Sequence, residues 1–90
     1  MKLRWSDEAL ADLDRLRDFL EPKSRAAAAR MVASLRERAV RLADYPRVGV
    51  RRPNFDREVR TVFVSGYEVR YEIEADAVRI VRIFHTRENR

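Results

Sequence analysis

Apolar residues recur every three or four positions in the first half of the chain and every two in the second, a change of period that separates a helical part from a strand-forming part. Lys2-Leu3-Arg4-Trp5 alternates polar and apolar, as a short half-buried strand does. Ser6 then supplies a side-chain oxygen for a helix N-cap, and Asp7 and Glu8 complement the positive end of the helix dipole. Leu10, Leu13, Leu16 and Leu20 form one stripe of a helix ending near Pro22, with Asp12, Arg15 and Asp18 on the opposite face. Ser24 caps a second helix through Ala43, whose stripe is Ala28, Val32, Leu35, Ala39 and Leu42. So short a connection as Glu21-Pro22-Lys23 folds the two helices into an antiparallel hairpin.

The stretch from Asp44 to Asp56 contains Pro46, Gly49 and Pro53 and sustains neither period, which predicts a long ordered loop. Three strands follow: Glu58 to Val64, Tyr67 to Glu74 and Ala77 to His85, joined by turns at Ser65-Gly66 and Ala75-Asp76. In the middle strand Tyr67, Val69, Tyr71 and Ile73 face one way, and Glu68, Arg70, Glu72 and Glu74 the other, so the sheet has one buried and one polar face. The last strand is apolar on both sides, which suits a central position. The expectation is an α+β domain of order β-α-α-β-β-β, a helical hairpin packed on a mainly antiparallel four-stranded sheet.

Ninety residues make one domain, 1-90, with no room for a second core. Such a domain is small enough to gain from a permanent partner. Cysteine is absent, which excludes disulfides, thiolate metal sites and a thiol nucleophile. The acidic stretch after Arg4 is no signal peptide, and nothing approaches a membrane span.

The net charge is +5, and 18 of the 20 basic residues are arginine, whose planar fork suits phosphate and carboxylate. Lys23 to Asp44 and Arg47 to Arg60 are basic, while Gly66 to Asp76 is acidic. Arg25, Arg30, Arg36, Arg38 and Arg41 are read either as the solvated face of a helix or as a surface for an acidic partner. Arg47, Arg51, Arg52 and Arg57 form a second cluster, with Tyr45 and Phe55 as the nearby aromatics. His85, the single histidine, follows Arg82 and precedes Arg87, a grouping suited to acid-base chemistry beside a phosphate clamp or to a structural strand end. No Gly-rich phosphate loop, nucleophile elbow or metal-ligand spacing is present in the sequence.

Across nearly its whole length the sequence resembles ParE-type toxins of the RelE/ParE toxin-antitoxin superfamily. The resemblance rests on Trp5-Ser6, Ala9 and Asp12-Leu13, on Tyr45-Pro46-Arg47-Val48-Gly49, and on Arg57-Glu58-Val59-Arg60. It continues in Gly66-Tyr67-Glu68-Val69-Arg70-Tyr71 and Val81-Arg82-Ile83-Phe84-His85-Thr86-Arg87. It implies a cytoplasmic toxin that inhibits DNA gyrase by protein contact, with no cofactor and no metal. It also implies neutralisation by a cognate ParD-like antitoxin in a hetero-oligomer, with DNA contacted only through the antitoxin. Arg60, Arg70 and Arg82 are the expected antitoxin contacts, and His85 with Arg87 the expected toxicity surface facing gyrase.

The alternative is a RelE-like ribosome-dependent messenger-RNA endonuclease with Arg82, His85 and Arg87 as its catalytic site. Here the sequence departs from the nuclease pattern, because Glu68 stands where that pattern has an arginine and would repel the scissile phosphate. The strand before it, Thr61-Val62-Phe63-Val64, lacks the lysines of the nucleases. Arg87 matches a functional arginine of the nucleases. A third class, a binding module without toxicity, fits the same residues.

Overall fold

The computed structural model describes residues 1–88. Strand β1 (Lys2–Trp5) leads into helices α1 (Asp7–Leu20) and α2 (Arg25–Asp44), then into a 3-10 turn, Pro46–Val48. Four strands follow, β2 (Val50–Arg51), β3 (Val59–Val64), β4 (Tyr67–Ile73) and β5 (Ala77–His85). They form one sheet of order β1-β5-β4-β3-β2, in which only the β1–β5 pairing is parallel. The sheet thus has five strands where four were expected. The addition is β2, whose two residues lie inside the predicted loop and are too few to display a period.

Both helix starts are capped as expected: Ser6 Oγ accepts from Ala9 N–H, and Ser24 Oγ from Ala27 N–H. The hairpin covers one sheet face. Leu13, Leu16, Met31, Leu35 and Leu42 meet Val62, Val69, Tyr71, Val78, Ile80 and Ile83 there. Two assignments on α1 change. Leu10 is 44% exposed, and Asp12, placed on the outer face by the leucine count, is buried against β5. The inward stripe is Ala9, Asp12, Leu13 and Leu16, a regular i, i+3, i+4, i+7 set with one charged member.

The other sheet face is not simply polar and solvated. Glu68 and Glu72 are buried on it, held by Arg52, Arg57 and Arg70. Residues 52–58 supply two of those arginines and also Phe55, whose ring centroid lies 6.0 Å from the Arg70 guanidinium. A charged alternation therefore masks a face that is largely closed by the segment after β2.

A bulge explains why β5 is apolar on both sides. Register passes from Arg70↔Arg82 to Tyr71↔Ile80, leaving Val81 as the extra residue, so Ile80 and Ile83 both enter the core although three apart. The β3–β4 turn has positive φ at Ser65 (50°) and Gly66 (84°), the mirror-image geometry that matches strand twist in two-residue hairpins. At Gly49 the reason for glycine is space: a Cβ there would sit 2.5 Å from Tyr71 Oη.

Candidate functional site

Among the described residues no strand pairs the outer edge of β5 beyond Trp5, and α1 takes over that role with side chains. Ser6 Oγ donates to Val81 O at 3.0 Å, Ile83 N–H donates to Asp12 Oδ2 at 2.8 Å, and Arg15 Nη2 donates to Ile83 O at 3.3 Å. Arg82 reaches the same carboxylate with Nε (2.8 Å) and Nη2 (3.1 Å). Burial by itself raises the Asp12 pKa, but the hydrogen bonds from Arg82, Ile83 N–H and Arg15 outweigh it and hold the carboxyl below its ordinary value. The same carboxylate raises the Arg82 pKa by hydrogen bonding.

The site residues expected from sequence separate into distinct places. Arg70 and Arg82 are cross-strand neighbours that share the Phe84 ring, at 5.4 and 4.6 Å from its centroid. Arg70 donates to Glu68 Oε2 at 3.2 Å. Glu68 is 1% exposed and ion-paired, so its role is to hold Arg52 and Arg70 rather than to present an anion at the surface. Arg60 lies toward the other sheet edge, where Glu58 Oε2 (3.0 Å), Gly49 O (2.7 Å) and Arg47 O (3.2 Å) accept from it.

His85 ends β5 with its ring edge-on to Tyr67, centroids 5.1 Å apart. Its Nδ1 accepts Arg87 N–H at 3.1 Å, which requires that nitrogen to carry no proton. Arg87 itself is exposed. Sequence reasoning missed the partners that hold this end of β5, namely Asp12, Arg15 and Glu88. For Asp12 a signal existed, its place in the regular stripe from Ala9. For Glu88 there was none, because its contact with Arg15 spans 73 positions.

A second feature is an open groove of about 900 Å³ between α2 and the β3–β4 hairpin. Its walls include Leu20, Met31, Phe63 and Val64 together with Arg30, Arg38 and Arg41. A smaller groove of about 520 Å³ continues from Arg38 and Arg41 past Tyr45 and Val48. Phe63, Tyr45 and Val48 are each 59–68% exposed, an unusual concentration for so small a domain. Among the described residues, the ion pairs engage the arginines of α1, the sheet and the 47–57 segment, and none of the α2 arginines. The basic face of α2 thus lies outside those ion pairs and borders a groove of mixed polar and apolar lining, with Glu37 as the acidic residue in its wall. Among the described residues no cluster of three His, Asp or Glu side chains is arranged for a metal, and no helix is long and apolar enough to cross a membrane.

The fold, a helical hairpin on one face of a mainly antiparallel sheet, has counterparts among known proteins. The family model for the ParE toxin of type II toxin-antitoxin systems, parDE, matches residues 3–90. The chain is 41% identical over 81 residues to Toxin RelE2 of Caulobacter vibrioides, spanning 90% of each. It is 36% identical over 83 residues to Toxin RelE3 of the same organism, spanning 91% of this chain and 90% of that one. A solved structure described as the chromosomal ParDE TA system from P. aeruginosa superposes with a TM-score of 0.78 at 25% identity, covering 94% of this chain and 95% of that one. The chain belongs to the ParE toxin family of type II toxin-antitoxin systems.

Proposed function

We propose that this chain inhibits DNA gyrase by protein contact, cuts no nucleic acid itself, and is neutralised in the cytoplasm by a cognate ParD-like antitoxin. The observation that carries the reading is how the sheet's cations are occupied. Phosphodiester cleavage needs cations available to the developing negative charge. Here Arg82 is bound through two nitrogens to Asp12, Arg52 and Arg70 to Glu68, and Arg57 to Glu72. Of the nuclease set Arg82, His85 and Arg87, only Arg87 has a side chain without a hydrogen-bond or ion-pair partner among the described residues. A surface that works by docking has no such requirement, and His85 with Arg87 remains the proposed toxicity surface.

The antitoxin is proposed to be acidic and partly disordered, folding as an amphipathic helix into the groove along α2. Its apolar side meets Met31, Phe63 and Val64, and its carboxylates meet Arg30, Arg38 and Arg41. The charge contacts expected at Arg60, Arg70 and Arg82 pass on this reading to α2, since those three already have internal carboxylates. DNA is reached through the antitoxin alone.

The names of the two Caulobacter relatives favour a second reading, messenger-RNA cleavage of the RelE type at Arg82, His85 and Arg87. Expression of the chain without antitoxin separates the two. Gyrase-trapped DNA breaks and a DNA-damage response with intact messenger are expected. Prompt messenger cleavage on ribosomes with an undamaged chromosome would overturn the gyrase reading.

A further inference from the structure

Residues 85–88, the end of β5 and the turn after it, are half-exposed to exposed, yet each of their four backbone N–H groups has an acceptor within the protein. His85 N–H donates to Glu88 Oε1 at 2.6 Å, Thr86 N–H to Gly66 O at 2.9 Å, Arg87 N–H to His85 Nδ1 at 3.1 Å and Glu88 N–H to His85 O at 3.0 Å. Surface turns ordinarily leave such donors to water. The second oxygen of Glu88 binds Arg15 Nη1, and Arg15 Nη2 donates to the buried carboxylate of Asp12 at 3.1 Å. A continuous line of charge-assisted bonds therefore runs from the α1–β5 contact to the turn and ends beside one exposed cation, Arg87.

We propose that Glu88 is a positioning residue, a two-ended clasp between Arg15 and the His85 backbone that fixes the direction in which Arg87 meets the toxin's target. The clasp rests on the reading of His85 and Arg87 as the toxicity surface. Its chemistry is specific to a carboxylate: one oxygen must accept a backbone N–H while the other pairs with a guanidinium. A carboxamide in its place offers one oxygen only, so Gln retains one of the two contacts and Ala neither. The partner implied at Arg87 is an anionic or carbonyl-rich patch, read by a single cation held in one place.

Full-length chain is expressed with Glu88→Ala, Glu88→Gln, Arg87→Ala and the double change, and the toxin level giving half-maximal growth arrest is measured beside the thermal midpoint and amide exchange at residues 85–88. With Glu88→Ala, exchange at His85 and Arg87 is expected to quicken about tenfold and the arresting level to rise about tenfold, the weight of one charge-assisted hydrogen bond. Glu88→Gln should fall between. If Glu88 acts through Arg87, the double variant should be no weaker than Arg87→Ala alone, a non-additivity that a general loss of stability would not produce.

Additive losses, or an arrest by Glu88→Ala or Arg87→Ala equal to the unaltered chain, would overturn the proposal. Should Glu88→Ala fail to fold, the comparison of Glu88→Gln with Arg87→Ala decides by the same criterion. Growth arrest does not depend on which target is struck. A gyrase reading that failed, with arrest arising from messenger cleavage, would therefore be visible separately from a failure of the clasp.

Discussion

At Asp12 a helix carboxylate does the work of a missing strand. β1 ends at Trp5 while β5 runs on to His85, so the Ile83 N–H would face no backbone acceptor on that edge. Asp12 accepts it and neutralises Arg82 and part of Arg15. Asp12→Ala should therefore cost about 2–4 kcal/mol in denaturant unfolding, because it strands a buried donor and two guanidinium contacts together. Gly49 is a second position with little latitude. Its N–H donates to Tyr71 Oη at 3.0 Å, and Tyr71 Oη donates to Pro46 O at 2.6 Å, so the phenol pins the 46–49 turn to the sheet. Gly49→Ala would push a methyl against Tyr71 Oη and Thr61 O and is expected to lower stability by about 2 kcal/mol, measured by the same unfolding curve. Neither demand is readable from residue type: an aspartate on an amphipathic helix and a glycine in a proline-containing loop have ordinary local explanations that conceal the contact.

Among the elements, α2 was legible in its span and ambiguous in its purpose. Its inward stripe was read nearly in full, with Met31 and Ala43 the omissions, because 20 residues give several turns of the 3.6 period. Whether Arg25 to Arg41 merely solvated the helix was undecidable from spacing. The ion-pair pattern favours a partner, since acidic residues elsewhere in the fold are drawn to other arginines. Charge reversal at Arg30 and Arg41, both exposed, should leave the thermal midpoint nearly unchanged. It should weaken binding to the co-purified antitoxin about tenfold or more and flatten its salt dependence. Unchanged affinity in a titration at two ionic strengths would place the antitoxin elsewhere. The strands illustrate the converse. β4 was read correctly in register of faces, but two of its outward carboxylates, Glu68 and Glu72, proved buried because residues 52–58 fold over them.

At the scale of the whole molecule, a domain this small stabilises the edge of β5 by ionic contacts between distant segments, and that leaves a signature in pH. Asp12 has its carboxyl held below the ordinary range when folded, so it contributes stability above the unfolded-state value of about 4. That contribution is lost as pH falls through the folded value. The difference in stability between the unaltered chain and Asp12→Asn should accordingly be largest near neutrality and shrink below about pH 4. A constant difference across that range would show that the carboxylate's charge is irrelevant to the β5 edge. The same architecture separates the α2 groove from the turn after β5, so that on the function proposed above one partner would silence the toxin at a surface distinct from the one that meets its target.

What the amino-acid sequence determined by itself is what short-range repetition carries: the helix spans, their serine caps, the two hairpin turns and the order of the elements other than the two-residue β2. These depend on neighbours within a few positions, where period and propensity act directly. Family membership was also legible, through motifs kept in order along the chain. Only the tertiary structure decided which charges are spent. Glu68 changes from a surface anion to a buried tie, Arg82 from a candidate phosphate clamp to the partner of Asp12, and Glu88 from an unremarked residue to the acceptor of Arg15 and of the His85 N–H. Each of these depends on a contact across the sheet or between segments dozens of residues apart, and the Coulomb energy of a side chain is set by what lies within a few ångströms in space, whatever its separation along the chain.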